Sequence, residues 1–228
     1  MGLAVRADFE VVQRLLGARH SCRAFQDRPV DPAVIKQMLE LAQRSPSWCN
    51  TQPWEVFVTA GEGTERLRAA ITAFAAQTAP RPDLPFPTRY DGVHLERRRE
   101  SAWQLYESVG IERGDRAASA AQALENFALF GAPHVALVTT ERELGVYGAV
   151  DCGVYLGCLL IAAQSLGLAT IPQAALAAVA PVIREQFGLA DNRQVLFGVS
   201  FGYPDDDHPA NGFRTTRAEI DDVMTWVT

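Results

Sequence analysis

A sheet covered by helices on both faces is the fold class this sequence predicts, and three observations predict it. Segments rich in β-branched and apolar residues alternate with segments of helical periodicity along most of the chain. The stretch from Tyr147 to Leu166 reads as a long helix that is apolar almost all round, which demands burial on most of its faces. The run from Gln194 to Phe201 is almost continuously apolar, as a strand with layers above and below it must be.

The elements follow in order. Phe9, Val12, Leu15 and Leu16 mark a short amphipathic helix ending near Gly17. Asp31 is a good N-cap and Pro32 a good first helical residue; Val34, Ile35, Met38, Leu39 and Ala42 then recur at helical spacing, and the helix should stop before Pro46. Glu55 to Ala60 reads as a strand and Gly63 to Ala79 as a helix. Pro80 to Pro87 holds four prolines in eight residues and is an irregular connection. His94 to Val109 and Arg116 to Phe130 read as helices. With the proline stretch they form an excursion, at about 80–116, from a single domain spanning residues 1–228. Val135 to Thr140 and Ala169 to Ile171 are strands on either side of the long apolar helix. Ala174 to Phe187 is a helix interrupted or restarted at Pro181, and Ala218 to Val227 a last helix.

Composition narrows the function. A net charge of −6 on 228 residues gives no general attraction to nucleic acid or to an anionic membrane, so neither is an expected partner. Twenty of the 21 basic residues are Arg, leaving Lys36 alone, so a phosphate held by a side-chain cation would be held by the planar Arg fork. Cys22, Cys49, Cys152 and Cys158 show no C-x-x-C spacing, and the four histidines form no ligand pattern, so no metal is expected. With no signal peptide legible, a reduced cytoplasmic setting fits best. The longest uncharged stretch, Cys152 to Ile183, has an unbroken apolar part of only 11 residues, Gly153 to Ala163, where a membrane span needs roughly 20.

Three polar segments stand apart from any packing need. Arg19-His20-Ser21-Cys22-Arg23 follows the first helix; Pro46-Ser47-Trp48-Cys49-Asn50-Thr51-Gln52-Pro53-Trp54 lies between a helix and a strand; and Arg214-Thr215-Thr216-Arg217 follows the last strand and Gly202-Tyr203-Pro204. Arginines hold phosphate and side-chain amides read ring edges, so this inventory suits a phosphorylated cofactor with a heterocyclic head. Simpler readings stand beside it. The arginines could end a helix in solvent, Asn50 and Gln52 could satisfy their own turn, and Trp48, Trp103 and Tyr106 could be core or interface aromatics. Cys49 is expected to act as a small hydrophobe, Asp205 to Asp207 as a solvated turn, and Asp151 as a buried capping or network residue. Gly61-x-Gly63 is no dinucleotide fingerprint, because Arg66 stands where a third glycine belongs.

Through Arg19-His20-Ser21-x-Arg23, Pro46-Ser47-x-x-Asn50-Thr51-Gln52-Pro53-Trp54, and Ile171-Pro172-Gln173 after Gly167, the chain resembles the nitroreductase family of FMN-dependent oxidoreductases. The resemblance implies an α+β, three-layer α-β-α fold with a mixed central sheet. It also implies an intertwined homodimer, with the Tyr147 to Leu166 helix at its core and FMN in two equivalent interface pockets. Carried over by position, Arg19 and Arg23 with Ser21 would contact the phosphate, ribityl or ring oxygens of FMN, with His20 as a neighbour, and Arg217 would be the terminal phosphate-binding Arg with Arg214 as its companion. Ser47, Asn50 and Gln52 would face the flavin, and Pro172, Gln173 and Ala174 would line its ring. Many relatives have glycine where this chain has Ala174, which leaves open whether Gln173 or Ala174 supplies the N–H to flavin N5. Trp48, Trp103, Tyr106 and the Pro80 to Pro87 stretch would form an aromatic-lined cover over the substrate. The implied reaction is ping-pong: NADH or NADPH gives a hydride to the flavin and leaves, and an electron-poor nitroaromatic or quinone is reduced in its place. No residue of the protein acts as nucleophile or base, the chemistry residing on FMN. Enone reductases, flavin reductases, dehalogenases and flavin-cleaving enzymes would share these motifs, as would a non-catalytic flavin-binding protein.

Overall fold

The computed structural model describes residues 3–228, with side chains from residue 6 onward. Eleven regular elements follow in chain order: α1 (Leu3–Ala18), α2 (Pro32–Ala42), β1 (Glu55–Val58), α3 (Glu62–Gln77), α4 (Gly92–Ser108), α5 (Arg116–Leu124), β2 (His134–Glu141), α6 (Gly145–Ser165), β3 (Ala169–Gln173), α7 (Ala180–Phe187) and β4 (Arg193–Gly202). The cap of α2 is as the sequence predicts, since the Ala33 amide donates to Asp31 Oδ1 at 2.7 Å with Pro32 opening the helix. Pro181 likewise opens α7 after a 3-10 turn, Ala174–Val179.

The strands form one sheet in the order β1-β2-β4-β3. Alternation along β2 builds the two cores. Ala136 and Val138 point to a cluster with Met38 of α2 and Tyr155 and Leu159 of α6, whereas Val135 and Leu137 point to one with Leu67 and Ile71 of α3 and Ile183 of α7. This is the three-layer arrangement expected. All four strands pair antiparallel, so the parallel component of the expected mixed sheet is confined to an isolated bridge, Ser21 to Thr170, on the outer edge of β3.

Three expectations change. The helix from Arg116 stops at Leu124 instead of Phe130, because Leu129 and Phe130 take left-handed backbone (φ 57° and 52°) to drop their side chains into the core. No helix forms over Ala218 to Val227. Only a 3-10 turn at Ile220–Asp222 appears; Trp226 is 79% and Val227 91% exposed, and so short a segment holds no helix without a surface to pack on. Finally, α6 is buried on one side only. Asp151, Cys152, Tyr155, Leu159 and Ala162 face inward, while Val146, Tyr147, Val150 and Val154 are exposed. By length and composition this helix could cross a membrane. Its inward side, however, packs on α2, β2 and β3, as a core helix does.

Candidate functional site

The end of α1 delivers Arg19 and His20 to a segment that lies along the sheet. The Cys22 amide donates to Thr170 O (3.0 Å) on β3, and the Arg23 amide donates to Asn211 Oδ1 (2.7 Å). Buried Asn211 in turn donates from Nδ2 to Ala24 O (2.9 Å) and Asp205 O (2.8 Å). One amide side chain therefore staples residues 23–24 to the segment that carries Arg214 and Arg217. Asn211 escaped sequence reading, since an Asn in a Pro209-Ala210-Asn211-Gly212 turn looks like an ordinary turn former.

These elements enclose a cavity of about 390 Å³ whose walls include Arg19, His20, Ser21, Arg23, Arg214 and Arg217, together with Ser101 of α4. The structure thus brings together six of the residues the sequence marked for the cofactor. Among the described residues none of the four arginines forms an ion pair with a carboxylate; every ion pair belongs to other cations. Instead they are braced by carbonyls and a ring. Arg214 Nη1 donates to Asn211 O (2.7 Å) and Phe213 O (2.8 Å), Arg217 Nη1 donates to Thr215 Oγ1 and Thr216 O (both 2.7 Å), and Arg23 sits over the Phe213 ring.

Burial, and then the neighbouring Arg217 charge, lower the Arg19 pKa from its ordinary value; burial does the same for Arg23. His20 is pushed below its ordinary value by burial, with Arg214 and Arg19 adding to the effect against its bond to Ala18 O and the charge of Asp206. Its Nδ1–H faces that carbonyl at 3.2 Å, and its Nε2, the acceptor nitrogen of the neutral ring, is buried with no partner. Four gathered arginines that form no ion pair among the described residues are the donor set of an anion site, and they fit the phosphate end of FMN.

A second cavity of about 280 Å³ shares Ser21 and Arg23 with the first and is walled by Tyr106 of α4, Gln122, Asn126, Phe130, Ile171 and Pro172. Tyr106 and Pro172 are therefore together on one wall. Trp103 stands edge-to-face behind Tyr106 (centroids 5.7 Å) and under Arg113. Gln173 departs from expectation. Its side chain is buried, with Nε2 donating to Asn126 O (2.8 Å) and Oε1 accepting from Ser200 Oγ (2.6 Å), because the strand pleat turns it inward. Ala174 is exposed at the start of a 3-10 turn and has no positive φ, so its Cβ causes no backbone strain. The proline stretch is not part of this wall. The Arg81 amide donates to Ala178 O, and Asp83 accepts from Arg184 Nη2 and the Val195 amide (2.8 Å each), which fixes it to α7 and β4.

The Pro46 to Trp54 loop lies elsewhere, against the first half of α6. The Trp48 amide donates to both carboxylate oxygens of Asp151 (3.1 Å each), and the Trp48 ring meets Tyr147 edge-on at 4.6 Å. Cys49, Asn50 and Gln52 all take positive φ (52°, 57° and 47°). The Gln52 amide donates to Ser47 Oγ (2.9 Å), and its side chain is held by Gln43, which also accepts from Trp54 Nε1. Ser47, Trp48, Asn50 and Gln52 thus form one surface but do not reach the arginine cavity of the same chain.

The chain is similar to known proteins along nearly its whole length. The chain is 34% identical, over 94% of its length and 92% of the relative's, to nitroreductase NfnB of Mycolicibacterium smegmatis. It is 31% identical to nitrobenzene nitroreductase of Ectopseudomonas oleovorans, over 95% of this chain and 96% of that one. The crystal structure of the FMN-dependent nitroreductase NfnB from Mycobacterium smegmatis in complex with NADPH superposes with a TM-score of 0.92 at 33% identity, covering 96% of this chain and 99% of that one. The model of the nitroreductase family matches residues 16–203, which span both the arginine segment after α1 and the left-handed loop before β1, and on these grounds the chain belongs to the nitroreductase family.

Proposed function

We propose that this protein is an FMN-dependent oxidoreductase that takes electrons from NADH or NADPH and delivers them to electron-poor acceptors such as nitroaromatics or quinones. The observation that carries the reading is the meeting of Arg19, Arg23, Arg214 and Arg217 around one cavity with no ion pair among the described residues. Bound FMN would supply hydride transfer, a chemistry no side chain offers. The chain's own contribution is to bind and orient. The arginines hold the phosphate side with His20 beside them, Ser21 and Arg23 sit where the two cavities join, and Pro172 with the exposed Ala174 edge faces the ring. Cationic groups at this join favour the added negative charge of the reduced state.

The pocket is completed by a second copy of the chain. The exposed stripe Val146, Val150, Val154 of α6 runs beside Ala149, Gly153 and Gly157, small residues four apart that let another helix approach closely, and Phe9, Val12 and Leu16 leave α1 equally uncovered. Joining two copies along these faces supports a homodimer in which Ser47, Asn50 and Gln52 of one chain meet the arginine cavity of the other. Residues 1–228 then act as a single FMN-binding domain, and α4 of the 80–116 excursion, carrying Trp103 and Tyr106, covers the substrate space. The four free cysteines suit a reduced, cytoplasmic setting.

The test is spectroscopic. Purified protein should be yellow, be bleached by NADPH or NADH under anaerobic conditions, and regain colour on adding a nitroaromatic. Colourless protein that takes up no FMN would overturn the reading, and a bound flavin that neither nucleotide bleaches would reduce it to a flavin carrier.

A further inference from the structure

Asp151 lines neither cavity, yet it is a carboxylate, only 9% exposed, on an otherwise uncharged helix. Among the described residues it has no cation partner, and both of its oxygens accept from one group, the Trp48 amide. That amide opens the 3-10 turn Trp48–Asn50. The residue placed to cap it, Ser47, makes no cap bond, because its hydroxyl accepts instead from the Gln52 amide five residues on. Capping has passed to a residue 103 positions away. The turn so capped holds Cys49, Asn50 and Gln52 in left-handed backbone, a conformation that non-glycine residues keep only where the surroundings impose it. Tyr147, one helical turn before Asp151, completes the grip by meeting the Trp48 ring.

We propose that Asp151 is a positioning residue for the flavin-facing loop: by capping the Trp48–Asn50 turn it holds Asn50 and Gln52 in the geometry that contacts FMN. The inference rests on the proposed role of that loop. Because Asp151 shares α6 with the exposed stripe, the same helix that would join the two copies also sets the shape of the loop each would present to the other. The charge suits the task, since a carboxylate accepting from an amide makes a stronger bond than a neutral side chain would.

The experiment compares Asp151→Ala, Asp151→Asn, Cys49→Gly and the Cys49→Gly/Asp151→Ala double variant, each purified as full-length protein and reconstituted with FMN. Asp151→Ala should weaken FMN binding about tenfold or more and alter the visible circular dichroism of the bound flavin, the loss expected for one hydrogen bond to a charged group. Asp151→Asn keeps one acceptor for the Trp48 amide and should recover most of the affinity. Glycine at 49 tolerates positive φ without strain, so the double variant should bind FMN more tightly than Asp151→Ala alone, a rescue that a loss of core packing would not show. An Asp151→Ala protein with wild-type FMN affinity and wild-type flavin dichroism overturns the proposal. So does a defect that neither Asn nor the Cys49→Gly change relieves. Asn50→Ala and Gln52→Ala, measured alongside, separate the two levels: if neither weakens FMN binding, it is the role of the loop that fails.

Discussion

Arg19 and Arg217 face one cavity from opposite ends of the chain, near enough for the charge of the second to lower the pKa of the first, and neither forms an ion pair among the described residues. A fold that keeps like charges together gains from whatever anion separates them.

Replacing Arg217 with Ala should therefore weaken FMN binding by about ten- to a hundredfold, the range for a charge-assisted bond to phosphate. The FMN-free protein should not lose thermal stability, because the substitution removes a repulsion. Fluorescence titration of FMN and thermal melts of the FMN-free form check the two halves. Arg23→Ala should behave alike in binding; unchanged affinity in both variants would refute the phosphate assignment.

Mixed dimers test how the pocket is divided. If the arginines come from one chain and the loop from the other, a dimer of one Arg23→Ala chain and one Gln52→Ala chain has one doubly damaged pocket and one intact pocket. Titration should then reveal one tight FMN site per dimer. Were each pocket built from a single chain, both sites would carry one lesion and none would bind tightly.

His134 predicts the direction of a pH effect. Its Nε2 accepts from the Val30 amide (2.9 Å) and its Nδ1–H donates to Thr59 O (3.0 Å), so the ring is buried in its neutral form. Burial, outweighing the Thr59 bond, lowers its pKa from the ordinary 6.5. Above 6.5 the ring is neutral in both folded and unfolded chains. As pH falls through 6.5 the unfolded chain takes up the proton first, so stability declines until the folded pKa is reached and then levels. Urea denaturation from pH 8 to pH 5 should show this decline, and His134→Gln should flatten it from a lower starting stability.

Gly198 sits mid-strand in β4 because nothing larger fits. A Cβ there would collide with Leu176 Cδ1 and lie 3.1 Å from Leu137 Cδ2. Gly198→Ala should cost about 1–3 kcal/mol in chemical denaturation, as overpacking does. Adding Leu176→Ala should make the pair's cost less than the sum of the two single changes, since the same atoms conflict.

Much of this was legible from local chemistry. Asp31 and Pro32 mark the start of α2 by a cap and a fixed φ, and the apolar runs of β2 and β4 mark central strands, because these signals lie within a few residues of the structure they specify. The arginine cluster could be read because Arg19, Arg23 and Arg217 have a charge that packing does not require. What stayed hidden depends on partners distant in sequence. The inward turn of Gln173 needs Asn126 and Ser200, the staple at Asn211 needs the backbone at residues 23–24, and the cap on Trp48 needs Asp151. The expected last helix failed for the same reason, since the periodicity of residues 218–227 carries no record of whether a surface exists for them to cover.

The distance between the arginine cavity and the left-handed loop within one chain has a physiological side. In the proposed dimer each chain supplies the anion-holding half of one pocket and the amide half of the other, so a newly made chain completes neither. If so, such a chain would neither drain NADPH nor leak electrons to dioxygen before it finds its twin. Dilution would then work as an off switch in the proposed dimer, with pigment loss and subunit separation occurring as one event.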